Sequence, residues 1–159
     1  MPRLLKTEQR HLLLEFFHER FGMDQGHFDP FDIFAFSRQA FLFRRQDKAL
    51  DWPASSFVRC GLPFVRNVAG YLKPTTVFVQ RFGNLATKNV LDMEMEQVGQ
   101  LCSNGEIILS ALPASLDTGY VIIKMQQHYL GIGLLLEGNR LLCRFPKAMR
   151  EAISRLTPG

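Results

Sequence analysis

The chain has 159 residues, 47% of them hydrophobic, which is enough to bury the core of one ordinary domain or two small ones. Its net charge is +4, and no apolar run approaches the 18 residues of a membrane span, so an unfolded polyelectrolyte and a helical membrane protein are both excluded. The start, MPRLLKTEQR, lacks the apolar stretch and small-residue cleavage site of a secretory signal, and a cytoplasmic protein is expected.

Thr7 can cap a helix whose apolar positions Leu12, Leu13, Phe16, Phe17 and Phe21 recur at helical spacing, with Glu8 in its first turn and Gly22 at its end. After a loop holding Gly26, Asp29 and Pro30, FDIFAF and AFLFRR read as two short strands around SRQ, although the many phenylalanines blur the period-two alternation. Nine of the fourteen phenylalanines fall before residue 44; they could offer stacking platforms for bases, but such clusters more often form a core. DWPASS breaks the pattern, and GLPFVRNV then reads as a strand that ends in a turn at Ala69 and Gly70. YLKPTT follows as an extended piece. The proline disfavours helix before it, after which Thr75 or Thr76 can cap a helix through Phe78, Val79, Phe82 and Leu85 that ends at Gly83 or Asn84. That helix start, flanked by Lys73, is either a phosphate seat or simply a well-capped end.

KNVLDM reads as a strand, EMEQVGQLCSNG as a short helix closed by Asn104-Gly105, and EIILSAL as another strand. Beyond a loop from Pro113 to Thr118, strands are expected at 120–126, 128–136 and 140–145, the last two joined by EGN, where Gly138 and Asn139 tolerate positive φ. Gly131 and Gly133 lie two apart and leave one strand face bare, so a backbone, helix or ligand is expected close to it. PKAMREAISR can add a last helical turn or two.

Charge is segregated along the chain. Residues 52–91 carry five basic side chains and no acidic one, residues 92–118 five acidic and no basic, and residues 119–159 six basic against two acidic. Two basic blocks favour a polyanionic partner. Catalytic patterns are lacking. Cys60, Cys102 and Cys143 stand 42 and 41 residues apart, neither a disulfide framework nor a metal spacing, and read as reduced, mostly buried thiols. His11, His18, His27 and His128 share no metal spacing, Gly131-Ile132-Gly133 lacks the third glycine of a dinucleotide fingerprint, and no catalytic residue, metal or cofactor is expected.

The succession GLPFVRNVAGYLKPTT, FGNLATKNVLDM, LCSNGEIILS and GYVIIKMQQHYLGIGLLLEGNRLLCRFPKA resembles two-domain proteins with a C-terminal PUA domain. Among these are the small large-subunit ribosome-biogenesis factors with a pre-PUA domain, and the similar region attached to NOL1/NOP2/Sun-type rRNA cytosine-5 methyltransferases. The resemblance implies an α+β protein: an N-terminal α/β pre-PUA domain with a mainly antiparallel sheet over residues 1–86, then a PUA-type pseudo-barrel over residues 87–159. It also implies a non-catalytic RNA-binding protein that acts on rRNA in ribosome biogenesis or rRNA modification. The methyltransferase nucleophile is not among RCGLP, LCSNG and LCRFP. Candidate RNA contacts are Arg66, Lys73, Arg81 and Lys88 from the acid-free block, with Arg140, Arg144, Lys147 and Arg150 from the C-terminal one; Tyr71, Tyr120 and Tyr129 are aromatic residues that could stack on bases. The alternative is an adaptor that recruits an rRNA methyltransferase or other maturation factor, docking through Asp92, Glu94, Glu96 and Glu106.

Overall fold

The structure is a computed structural model that describes residues 2–45 and 61–157; DWPASS, Arg59 and Cys60 lie outside the described residues. The chain divides into two compact units, Met1–Phe78 and Val79–Gly159. Among the described residues the fold is mixed α+β with two five-stranded sheets, neither closed into a barrel.

In the first unit, β1 (Arg3–Leu4), β2 (Phe31–Phe36), β3 (Gln39–Arg44), β4 (Leu62–Val68) and β5 (Tyr71–Pro74) pair in chain order, and every pair is antiparallel. The expected hairpin strands FDIFAF and AFLFRR are β2 and β3, shifted by one residue in the second case. Helix α1 (Thr7–Phe21) starts one residue earlier than a Thr7 cap would place it: Lys6 is the N-cap and Thr7 the first helical residue. The Lys6 backbone N–H donates to Gln9 Oε1 at 3.3 Å, so the glutamine at the third helical position closes the end without a capping hydroxyl. Gly22, at φ 66°, ends the helix as expected.

The buried stripe of α1 is Leu13, Leu14, Phe17 and Phe21, whereas Leu12 is 66% exposed. Leu12 falls outside the stripe because positions 13, 14, 17 and 21 already fill one face at 3.6 residues per turn. Phe17 stacks on Phe64 with ring centroids 4.6 Å apart and meets Phe78 edge-on at 5.2 Å. Much of the phenylalanine cluster is thus core: Phe17, Phe21, Phe28, Phe64 and Phe78 are almost wholly buried. A bulge makes part of this possible. Ala40 pairs with Val65 and Phe41 with Pro63, so Phe64 is an extra residue in β4, and both Phe64 and Val65 are buried. Beyond the bulge the alternation resumes. Val65, Asn67 and Leu72 border a hollow with Leu13 on the α1 side, and Arg66 and Val68 therefore take the outer face.

Helix α2 (Thr76–Phe82) leads into the second unit and passes into a 3-10 turn at Gly83–Leu85. There β6 (Val90–Asp92), β7 (Glu106–Ile108), β8 (Gly119–Met125), β9 (His128–Leu136) and β10 (Arg140–Cys143) form a sheet of order β6-β8-β9-β10-β7, with β6 parallel to β8 and the other pairs antiparallel. Helix α3 (Met95–Asn104) carries the chain from one edge strand to the other, capped by Gly105 at φ 80°. Helix α4 (Lys147–Leu156) runs for ten residues, longer than the turn or two expected. Its Met149 and Ile153, one turn apart, pack on the core made by Leu101, Val121, Ile123, Leu135 and Leu141.

Gly133 is covered mainly by neighbouring side chains, and the backbone expected there is present too, the Leu142 carbonyl oxygen lying 3.4 Å from where a Cβ would sit. A Cβ at that position would lie 2.8 Å from Leu141 Cδ1 and 2.9 Å from Ile123 Cδ1, because residues diagonal to it on the flanking strands lean across the gap.

Candidate nucleic-acid interface

Each of the eight candidate cations has a defined place. Arg66 on β4 and Lys73 on β5 are direct cross-strand partners, with Gln39 of β3 next to Arg66. Arg66 is exposed and Lys73 half-buried. Arg81 is exposed in the last turn of α2, its guanidinium carbon 6.0 Å from the centre of the Phe82 ring, and Lys88 is exposed just before β6.

The C-terminal four differ among themselves. Arg140 is committed within the protein: its Nε and Nη2 each lie 2.8 Å from Glu106 Oε2, across the β10–β7 pair. Two donors converge on one oxygen of a half-exposed carboxylate, whose negative charge beside Arg140 weakens its pull on a phosphate. Arg150 reaches inward and donates from Nε and Nη2 to the Cys102 carbonyl at 3.4 and 3.2 Å, closing the C-terminal end of α3. Arg144 is exposed just past β10, where burial alternates and puts it with Arg140 on the side away from Leu141 and Cys143. Lys147 opens α4 and is 91% exposed, with Glu151 one turn on at 3.9 Å. A separation of 3.9 Å between such exposed groups is a weak pair.

Between α3 and α4 lies a hollow of about 580 Å³ bordered by Lys147, Arg150, Glu151 and Arg155. Ser103 and Ser154 line it too, their hydroxyl oxygens 3.3 Å apart. Arg155 was not among the sequence candidates. The four-residue steps from Lys147 through Glu151 to Arg155 put the three on one side of a helix, and recognising ten helical residues there would have found it.

The start of α2 acts as a cap. Thr75 Oγ1 accepts the Phe78 N–H at 3.1 Å and donates to the Pro63 carbonyl, so the hydroxyl itself serves the helix end that the phosphate-seat reading left open. Thr75→Ala is expected to lower stability by about 1–2 kcal/mol in urea denaturation, with Thr75→Ser close to the parent, because one cap bond and one bond to β4 are lost together.

Two described thiols lie beneath the C-terminal basic surface, Cys102 lining the hollow between α3 and α4. Cys102 and Cys143 are buried and unoxidised. The hydrogen bond with Cys143, and burial after it, hold Cys102 well above an ordinary thiol. Among the described residues, no group of three His, Cys, Asp or Glu side chains is placed to hold a metal ion, and no helix is long and apolar enough to cross a membrane. Of the tyrosines, Tyr120 and Tyr129 are half-buried, and the Tyr129 ring packs under Gly83 and carries Lys124 Nζ 5.5 Å from its centre. Tyr71 is different: it is 72% exposed.

Fold and surface together define a two-unit α+β protein with exposed cations on both units. No family model matches the chain, and no curated protein matches it.

Proposed function

We propose that the protein binds RNA without catalysing a reaction, and that its target is rRNA during ribosome biogenesis or rRNA modification in the cytoplasm. The observation that carries this reading is the placement of the acid-free block: Arg66, Arg81 and Lys88 all stand exposed, and described residues 61–91 bring no carboxylate with them. A polyphosphate that meets either unit's part of this block is attracted by its cations and finds no carboxylate from the segment itself. The resemblance to pre-PUA and PUA proteins belongs to the same reading. Consistent with it are an all-antiparallel first sheet and a second sheet with one parallel edge pair and two helices against its core.

The contacts assigned are Arg66, Lys73, Arg81, Lys88, Arg144 and Lys147, with Arg140 and Arg150 kept for the internal bonds described above. Salt titration tests this. With about five phosphates of single-stranded RNA neutralised, log affinity falls against log salt with a slope of roughly −3.5, at about −0.7 per contact. Arg140→Ala leaves that slope unchanged. A slope near zero rejects the electrostatic mechanism, and a clear decrease in steepness for Arg140→Ala rejects the assignment of Arg140 to Glu106.

A second reading, an adaptor that recruits an rRNA methyltransferase or another maturation factor, draws on one feature of the second unit. Ile108 is 77% exposed on edge strand β7, close in sequence to Glu106, and Met95 is exposed between Glu94 and Glu96. Apolar side chains among carboxylates suit a basic protein partner.

A further inference from the structure

The outer face of the first sheet, at its β4–β5 end, combines features that phosphate binding alone does not require. The β4–β5 hairpin turns on two residues in the left-handed region, Ala69 at φ 51° and Gly70 at φ 87°, and Asn67 Oδ1 accepts the Gly70 N–H at 2.9 Å. A turn this tight sets Val68 directly opposite Tyr71 and, two residues further along, Arg66 directly opposite Lys73. Side chains two apart on a strand share a face, so these four form one block: an apolar pair at the hairpin tip and a cationic pair behind it. Val65, Asn67 and Leu72 point the other way, toward α1, and β5 is the edge strand of the sheet. The block is therefore approachable from its face and from its side. Val68 is 41% exposed, and Tyr71 far more so. Asp32 lies on this same outer face at the other end of the β2–β3 pair, where Arg45 Nε holds it at 3.0 Å.

Each half of the block accounts for a different part of one ligand. Two cations directly opposite each other concentrate positive charge at one point of the face, which suits an anion that touches both. An exposed tyrosine about 6.7 Å from Lys73 along the strand offers a flat apolar surface beside that anion. A polymer that alternates phosphates with planar bases supplies both. Its bases must be unpaired, because a ring on a sheet surface cannot reach the faces of bases stacked in a duplex. An acidic peptide would meet the cations and leave the ring unused. We infer that the outer face of the β4–β5 hairpin is a platform for single-stranded RNA, on which Tyr71 stacks with a base while Arg66 and Lys73 hold the adjoining phosphate. This rests on the RNA-binding function proposed above and adds to it a base-reading contact in the first unit, whereas the charge-based reading treats all contacts alike.

The test uses the full chain with two probes, a ten-nucleotide oligouridine and a ten-unit oligoribonucleotide of the same charge whose bases are removed. For the parent protein, oligouridine binds at least fivefold more tightly than the abasic strand. Tyr71→Ala weakens oligouridine binding by five- to a hundredfold and leaves abasic binding unchanged, and Tyr71→Phe stays within twofold of the parent. Circular dichroism of the variants checks that this exposed substitution leaves the fold intact. The platform is overturned if the parent binds both probes equally, or if Tyr71→Ala binds oligouridine like the parent. In either case RNA binding itself survives so long as affinity retains its steep salt dependence. No salt-dependent binding of either probe by the parent overturns both.

Discussion

Arg144→Glu combined with Lys147→Glu is expected to weaken binding of single-stranded RNA by about 25-fold or more at 0.1 M salt. Both side chains are exposed; Arg144 donates a long bond to the neighbouring Cys143 carbonyl, and Lys147 stands 3.9 Å from Glu151. Each phosphate contact contributes about 0.7 to the slope of log affinity against log salt, which at 0.1 M is about fivefold in affinity, so losing two contacts gives the 25-fold figure. Reversing the charges adds repulsion to that loss. The slope itself should become shallower by about 1.4. Fluorescence anisotropy over a salt series reads both quantities. An affinity unchanged within twofold would remove the C-terminal block from the interface. The same variant separates the two functional readings, since an adaptor docking through Glu94, Glu96 and Ile108 keeps its protein partner when Arg144 and Lys147 are reversed.

Phe17→Ala is expected to destabilise the first unit by about 3–5 kcal/mol, the cost of removing a phenyl group from a filled core. Phe17 is fully buried, stacks on Phe64 and meets Phe78, so the space it leaves is bounded by rigid rings that cannot close over it. Against a total stability of about 5–15 kcal/mol for an ordinary domain, this brings the unit close to its unfolding threshold. Urea denaturation measures the loss, and faster exchange of the β3 and β4 amides locates it in the first unit. Phe17→Leu, which refills most of the volume, should cost about 1.5 kcal/mol or less. If the phenylalanine cluster were a stacking surface for bases, Phe17→Ala would instead change stability by less than about 0.5 kcal/mol and lower RNA affinity.

Short-range signals read well where one residue decides the backbone. Gly22, Gly70, Gly105 and Gly138 each adopt the positive φ that ends a helix or makes a turn, and each was legible as such. Alternation and turn residues also placed β8, β9 and β10 to within a residue or two. The β4 bulge was not legible. Phe64 and Val65 are adjacent apolar residues that a regular strand would put on opposite faces, and only the pairing of Ala40 with Val65 and of Phe41 with Pro63 shows that an extra residue intervenes.

The candidate interface divides along the same line. Composition alone determined that residues 52–91 carry one sign of charge, because a side chain's charge belongs to its residue type and needs no neighbour. Composition also determined that enough apolar surface exists for a core. Tertiary structure alone decided two internal partnerships of these cations: Glu106 meets Arg140 from 34 residues away, and the Cys102 carbonyl accepts from Arg150 across 48. It also decided that Tyr71 stands beside Lys73 and across from Val68 on an open face, while Tyr129 packs under Gly83. Neutralisation and stacking depend on distance in space, and folding sets those distances between residues that the chain keeps far apart.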